Sequence, residues 1–216
     1  MYENDISKMD LILTNSKNTQ ERIKKFLWID AEILYPPVDL KEFSYLDQKD
    51  YYLSFARLSD AKRVDKIVEA FKSMPEKKLV IIYWENDPQR EKIFAQSKGF
   101  ENITFKTLPG NVGFTKYIWN SIATIYIPID EDFWMSPVES MAAWKPVLWV
   151  DDWWLKETII DKKTWVLMDK EAKVEDIIKA IKYLTPEVCF SMKDDCIARA
   201  GDFDIIPWGE KLRSYV

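Results

Sequence analysis

Along this chain, short apolar runs of strand length alternate with stretches whose apolar residues recur at helical spacing. The runs 52–55, 79–83, 103–105, 124–127, 147–150 and 166–168 read as strands. Helices are predicted over 61–73, 88–98, 114–121, 137–143, 155–160 and 174–184; in the first, Val64, Ile67, Val68 and Phe71 share one face. Six such units joined by short loops predict an α/β fold, an open, Rossmann-like parallel sheet with helices on both faces. Ligands of such sheets sit at the carboxyl ends of the strands, so chemistry is expected in the loops that follow them.

The two ends of the chain do not follow this repeat. Residues 11–14 read as one strand and 19–26 as one helix, followed by the rigid, extended Tyr35-Pro36-Pro37. A lone strand and helix cannot bury both their faces, so residues 1–40 are expected to be the tail of a preceding domain and its linker. Residues 41–186 form the sheet domain. The segment 187–216 should add one or two helices, broken near Pro207.

Composition narrows the class. The chain has 216 residues, 47% hydrophobic and 31% charged, which describes a soluble globular protein with no apolar run long enough to span a bilayer. The start of the chain lacks a signal-peptide layout, and the expected location is cytoplasmic. Lys and Arg number 31 against 36 Asp and Glu, a net charge of −5, which argues against a nucleic-acid partner. With no His and only Cys189 and Cys196, there is neither a zinc-ligand set nor a His base, and the cysteines read as reduced structural thiols. Catalysis would have to rest on carboxylates, Arg, Lys and backbone dipoles.

Two segments carry that chemistry. Arg57 and Lys62 flank the loop after the first strand of the repeat, where two cations beside a helix N-terminus suit a diphosphate. Glu131-Asp132-Phe133-Trp134-Met135-Ser136-Pro137-Val138-Glu139 follows the fourth strand and places two glutamates at the carboxyl edge. A structural reading competes: Ser136 and Glu139 have the spacing of a capping box, with Pro137 at the first helical position.

Taken together, 56–71, 102–105, 131–143, Lys145-Pro146-Val147 and Leu155-Lys156-Glu157-Thr158 resemble the C-terminal, nucleotide-sugar-binding domain of retaining family 4, or group 1, glycosyltransferases. Asn15-Ser16-Lys17-Asn18-Thr19 and Tyr35-Pro36-Pro37-Val38-Asp39 resemble the end of the N-terminal domain in mannosyltransferase-like members. The resemblance implies a GT-B-type fold and hexose transfer with retention, mannose first, to a glycan or lipid-linked acceptor. It implies a GDP- or UDP-sugar as donor, no metal or other cofactor, and peripheral membrane association at most in the full enzyme. Arg57 and Lys62 would hold the diphosphate, Glu131 a sugar hydroxyl and Glu139 the ribose. Phe133, Trp134, Met135, Ser136 and Val138 would line the donor, and the base would lie near Lys106 and Leu108. Because the acceptor domain is all but absent, the isolated chain is expected to bind donor weakly and not to transfer sugar. A non-catalytic nucleotide-sugar-binding module and a sugar-nucleotide 2-epimerase are the rival readings, the second disfavoured by the lack of His.

The family comparison also explains an odd count, 5 Gly against 10 Trp, where about 15 Gly would be usual at this length. The family pattern has glycine where this chain has Trp28, Trp84, Trp134, Trp144, Trp153, Trp154 and Trp165, and Trp119 and Trp149 fit the same rule; Trp208 cannot be placed. The expectation is that UGA codons read as glycine by the source organism were rendered as tryptophan. Aromatic residues stacking on sugar is the alternative.

Overall fold

A computed structural model describes residues 5, 6, 8–43, 48–108, 113–129, 135–151 and 163–215. The chain opens with a two-stranded parallel sheet, β1 (Leu13–Thr14) and β2 (Glu32–Ile33), joined by helix α1 (Lys17–Leu27). Ser16 caps α1, its Oγ accepting from the Thr19 amide at 3.1 Å, so a serine satisfies one of the amides that the first turn leaves unpaired. The sequence reading had one strand here; β2 is only Glu-Ile, too short for any hydrophobic period to reveal.

The second sheet has six parallel strands in the order β5-β4-β3-β6-β7-β8. They are β3 (Tyr52–Ser54), β4 (Leu79–Ile82), β5 (Ile103–Lys106), β6 (Thr124–Ile125), β7 (Val147–Val150) and β8 (Trp165–Met168). The helices are α2 (Val64–Lys72), α3 (Arg90–Ser97), α4 (Phe114–Asn120), α5 (Met135–Ala142) and α6 (Val174–Tyr183). The predicted α/β architecture is the observed one. The predicted helix 155–160 lies outside the described residues.

Alternation along β3 splits the core. Tyr52 joins the main cluster, its hydroxyl donating to the Leu184 carbonyl at 2.7 Å beyond α6 and its ring edge-on to Phe71 of α2 at 5.7 Å. Leu53 and Phe55 face the other way, into a smaller cluster with Ile82, Ile118 and Ala143. Val64, Ile67, Val68 and Phe71 are all buried, so the predicted stripe of α2 is the face laid on the sheet. The helix is shorter than expected: Asp60–Lys62 is a single 3-10 turn, and Arg63, at φ 51, separates it from α2.

Three helices complete the chain, α7 (Pro186–Ser191), α8 (Lys193–Gly201) and α9 (Ile205–Arg213). The expected break at Pro207 is absent. Pro207 is the third residue of α9, within the first turn, where its missing N–H would have had no intrahelical acceptor. The breaks fall instead at Met192 and at residues 202–204. The linker is tied to this end: the Val38 amide donates to the Phe203 carbonyl at 2.9 Å and the Ile205 amide to the Val38 carbonyl at 3.0 Å. Lys211 Nζ reaches the Ile33 carbonyl at 2.7 Å, joining α9 to the small sheet.

Candidate functional site

The strand order places the site. Going outward from the centre, β3, β4 and β5 run to one side, and β6, β7 and β8 to the other. The loops after β3 and β6 therefore leave the sheet in opposite directions and open a crevice between them, the place where open α/β sheets take their ligands. The loop after β3 carries Arg57 and Lys62; the chain after β6 carries residues 126–129 and then α5.

Lys62 is 7% exposed and its Nζ donates to the Tyr126 hydroxyl at 2.7 Å, with the ammonium 5.2 Å from the centre of that ring. Arg57 is freer, its side chain 58% exposed and its Nε 3.5 Å from Oδ1 of the fully buried Asp87. Asp87 belongs to the loop after β4, where its Oδ2 also accepts from the Trp84 amide at 3.0 Å. A cation held at the crevice mouth and another sunk in its wall can neutralise a diphosphate from two sides.

Helix α5 starts at Met135, so Ser136 is its second residue, Pro137 its third and Glu139 its fifth. That removes the capping-box reading, which needs Ser136 outside the helix and Glu139 at its third position. Ser136 is buried, its carbonyl accepting from Ser140 Oγ at 2.7 Å, and Ser140 in turn accepts from Thr124 of β6 at 2.8 Å. Burial pushes the Glu139 carboxyl up to about 7.

The other sequence candidates fare differently. Val138 is fully buried in the main core, so its side chain packs the sheet and only its backbone could meet a ligand. Met135 is partly buried against the same cluster. Lys106 is exposed, and Leu108 packs on the smaller cluster beside Phe55 and Ile82, in the loop after β5 at the sheet edge, two strands from β3. Glu131, Phe133 and Trp134, with Trp153 and Trp154, lie outside the described residues. Two residues of the crevice escaped the sequence reading. Tyr126 looked like one apolar position of a strand, and Arg63 like one more charge on a solvated helix face. Burial also pushes both thiols up, Cys189 to about 12, so neither is a nucleophile. No His, Cys, Asp and Glu group that could hold a metal occurs among the described residues, and no described helix is long and apolar enough to cross a membrane.

Residues 39–200 match the family model of glycosyl transferases group 1. The chain belongs to that family. Its fold is the GT-B type: the sucrose-phosphate synthase of Thermosynechococcus elongatus superposes with a TM-score of 0.84 at 16% identity, over 99% of this chain and 59% of that one. Anabaena HepE in complex with UDP-glucose gives 0.83 at 14% identity, over 95% of this chain and 63% of that one. The pneumococcal O-GlcNAc transferase GtfA, in complex with UDP and GlcNAc, gives 0.71 at 18% identity, over 99% and 46%. The chain thus spans about half to three fifths of these solved relatives. No curated protein matches it by sequence.

Proposed function

We propose that this chain is the donor-binding part of a retaining group 1 glycosyltransferase. The observation that carries the reading is the crevice between β3 and β6, where the buried Lys62 ammonium and the largely buried Glu139 carboxyl both belong to elements that border one opening. The presence of UDP or a UDP-sugar in two of the similar structures supports a nucleotide-sugar donor. GDP-mannose is the first choice and a UDP-sugar the second; the mannosyltransferase-like segment 35–39 is the support for mannose. The acceptor is a glycan or lipid-linked glycan read by the part of the enzyme that this chain does not span.

In this reading Arg57 and Lys62 hold the diphosphate and stabilise the charge that develops on it as the sugar leaves. The bond from the anomeric carbon to the phosphate oxygen breaks, and an acceptor hydroxyl oxygen bonds to that carbon from the same face. The hydroxyl proton passes to the departing phosphate oxygen. Glu131 takes a sugar hydroxyl and Glu139 the ribose hydroxyls, with Phe133 and residue 134 beside the sugar. Calorimetric titration with GDP-mannose, UDP-glucose and UDP-GlcNAc tests this: one of the three should bind with a micromolar to millimolar Kd and lose at least tenfold in Lys62→Ala. Binding by none of them would overturn the reading.

The same proposal takes glycine as the native residue at the anomalous tryptophans. Trp28 and Trp144 have φ of 61 and 63, in the left-handed region where an L residue costs about 1–2 kcal/mol. Trp144 follows α5 in a helix-terminating turn, its amide donating to the Met141 carbonyl and that of Lys145 to the Ser140 carbonyl, a pattern whose left-handed position is usually glycine. The buried indole N–H groups of Trp119 and Trp149 have no acceptor among the described residues. Reading the gene decides the matter: UGA at these codons supports it, and UGG at most of them ends it.

A further inference from the structure

Arg63 follows Lys62 directly, yet its guanidinium is turned into the protein and the residue is 6% exposed. Nε donates to the Ile127 carbonyl at 2.6 Å and Nη2 to the Pro128 carbonyl at 2.9 Å. Nη1 donates to the carbonyls of Lys170 at 2.8 Å and Glu171 at 3.1 Å, in the loop after β8. Two further bonds run alongside, from the Ile129 amide to the Ala61 carbonyl at 2.8 Å and from Lys62 to the Tyr126 hydroxyl at 2.7 Å. Each residue from 126 to 129 is therefore bonded to one of residues 61–63, beyond the end of β6 at Ile125.

The arrangement is costly. A left-handed arginine backbone is strained, and glycine would form the same turn more easily. A buried cation must also recover its lost hydration from the groups around it. What arginine adds is a planar fork whose donors meet carbonyls of two loops at once, which no single ammonium can match.

We infer that Arg63 is a positioning residue of the donor site, holding residues 126–129 beyond β6 against the turn that carries Lys62 and against the loop after β8. Arg63 acts through these carbonyls; it sets where the chain beyond β6 stands relative to the diphosphate-binding lysine. This rests on the donor-site reading given above.

The test uses Arg63→Gly, which suits the backbone, and Arg63→Lys, which keeps the charge and the stem, both in the full chain. Hydrogen exchange at the Ile129 amide should rise at least tenfold in Arg63→Gly while the amides of β4 stay unchanged, with Arg63→Lys between. Titrations with UDP, GDP, UDP-glucose and GDP-mannose should show at least a tenfold loss of affinity for the nucleotide sugar and less than a threefold loss for its free nucleotide. A general loss of stability would not split the two, and Arg63→Lys should recover part of the difference. Unchanged exchange at Ile129 would overturn the cross-link. Raised exchange with equal losses for nucleotide and nucleotide sugar would overturn the positioning role. If the wild-type chain binds none of the four, the donor-site reading fails and the assignment of Arg63 to it fails too, while exchange at Ile129 decides the cross-link independently.

Discussion

The Lys62 ammonium donates to the Tyr126 hydroxyl at 2.7 Å, and both side chains are buried in the wall of the β3–β6 crevice. The bond fixes a long, flexible side chain before any ligand arrives, so the entropy of ordering it is spent in folding and not in binding. Tyr126 continues β6 past its last ladder residue, and the β6–β7 register sets it opposite residue 149, whose indole lies 4.7 Å from its ring.

Removing that hydroxyl should therefore weaken both fold and site. Tyr126→Phe leaves the ring and takes away an acceptor from a buried cation, a loss of about 1–3 kcal/mol. Urea unfolding should show this as a lower midpoint with an unchanged slope. Nucleotide affinity should fall several-fold in the same variant because Lys62 is held less firmly, and an unaltered midpoint and Kd would show the bond to be idle.

Glu139 makes the site sensitive to pH. Its carboxyl is raised from 4.5 to about 7 by burial, so below pH 4.5 it is protonated in both folded and unfolded chains and costs nothing. Between pH 4.5 and 7 the unfolded state loses the proton first, and folding stability declines by up to about 3 kcal/mol, levelling off above pH 7. Glu139→Gln should flatten this decline in thermal melts. If ribose hydroxyls bind the ionised carboxylate, nucleotide affinity rises as pH increases from 6 to 8, and calorimetry in buffers of different ionisation heat should detect proton release that vanishes in Glu139→Gln.

At Trp28 the indole is 83% exposed and its backbone left-handed, so almost no packing opposes the strain. Trp28→Gly should stabilise the chain by about 1 kcal/mol. Trp144→Gly relieves the same strain but gives up the contact of the Lys193 ammonium, 4.2 Å from the indole centre, so its gain should be smaller. Destabilisation by Trp28→Gly in a denaturant titration would show that tryptophan is the adapted residue there.

Much of this molecule is legible in its sequence because the strands are short, apolar and evenly spaced. Val64, Ile67, Val68 and Phe71 announced α2, and the apolar runs announced the six-stranded sheet. Strand order was not legible, since all parallel strands look alike in sequence, and that order is what makes neighbours of the loops after β3 and β6. Arg57, Lys62 and Glu139 stood out because their spacing matches a family pattern; Arg63 and Tyr126 did not, because their roles are made of hydrogen bonds between segments more than sixty residues apart. Pro207 was misjudged because a proline both stops helices and begins them, and only the start of α9 at Ile205 tells which.

Asp87 sets the state of the exposed cation. Its Oδ2 caps the turn through the Trp84 amide, and its Oδ1 faces Arg57 at 3.5 Å, an ion pair too long for a hydrogen bond. The pair therefore orients Arg57 loosely while subtracting from the positive potential that a diphosphate would meet. Asp87→Asn keeps an oxygen for the Trp84 amide and removes the negative charge, so the turn should survive and diphosphate affinity should rise by about 1 kcal/mol or less, the scale of one half-exposed charge pair. Asp87→Ala should instead lose the cap and lower the unfolding free energy by about 1–2 kcal/mol, as deletion of a side-chain cap commonly does. The gain in Asp87→Asn should shrink as salt is raised, because screening acts on the electrostatic part alone. A fall in affinity in Asp87→Asn at every ionic strength would mean that orientation of Arg57, not local charge, is what Asp87 contributes.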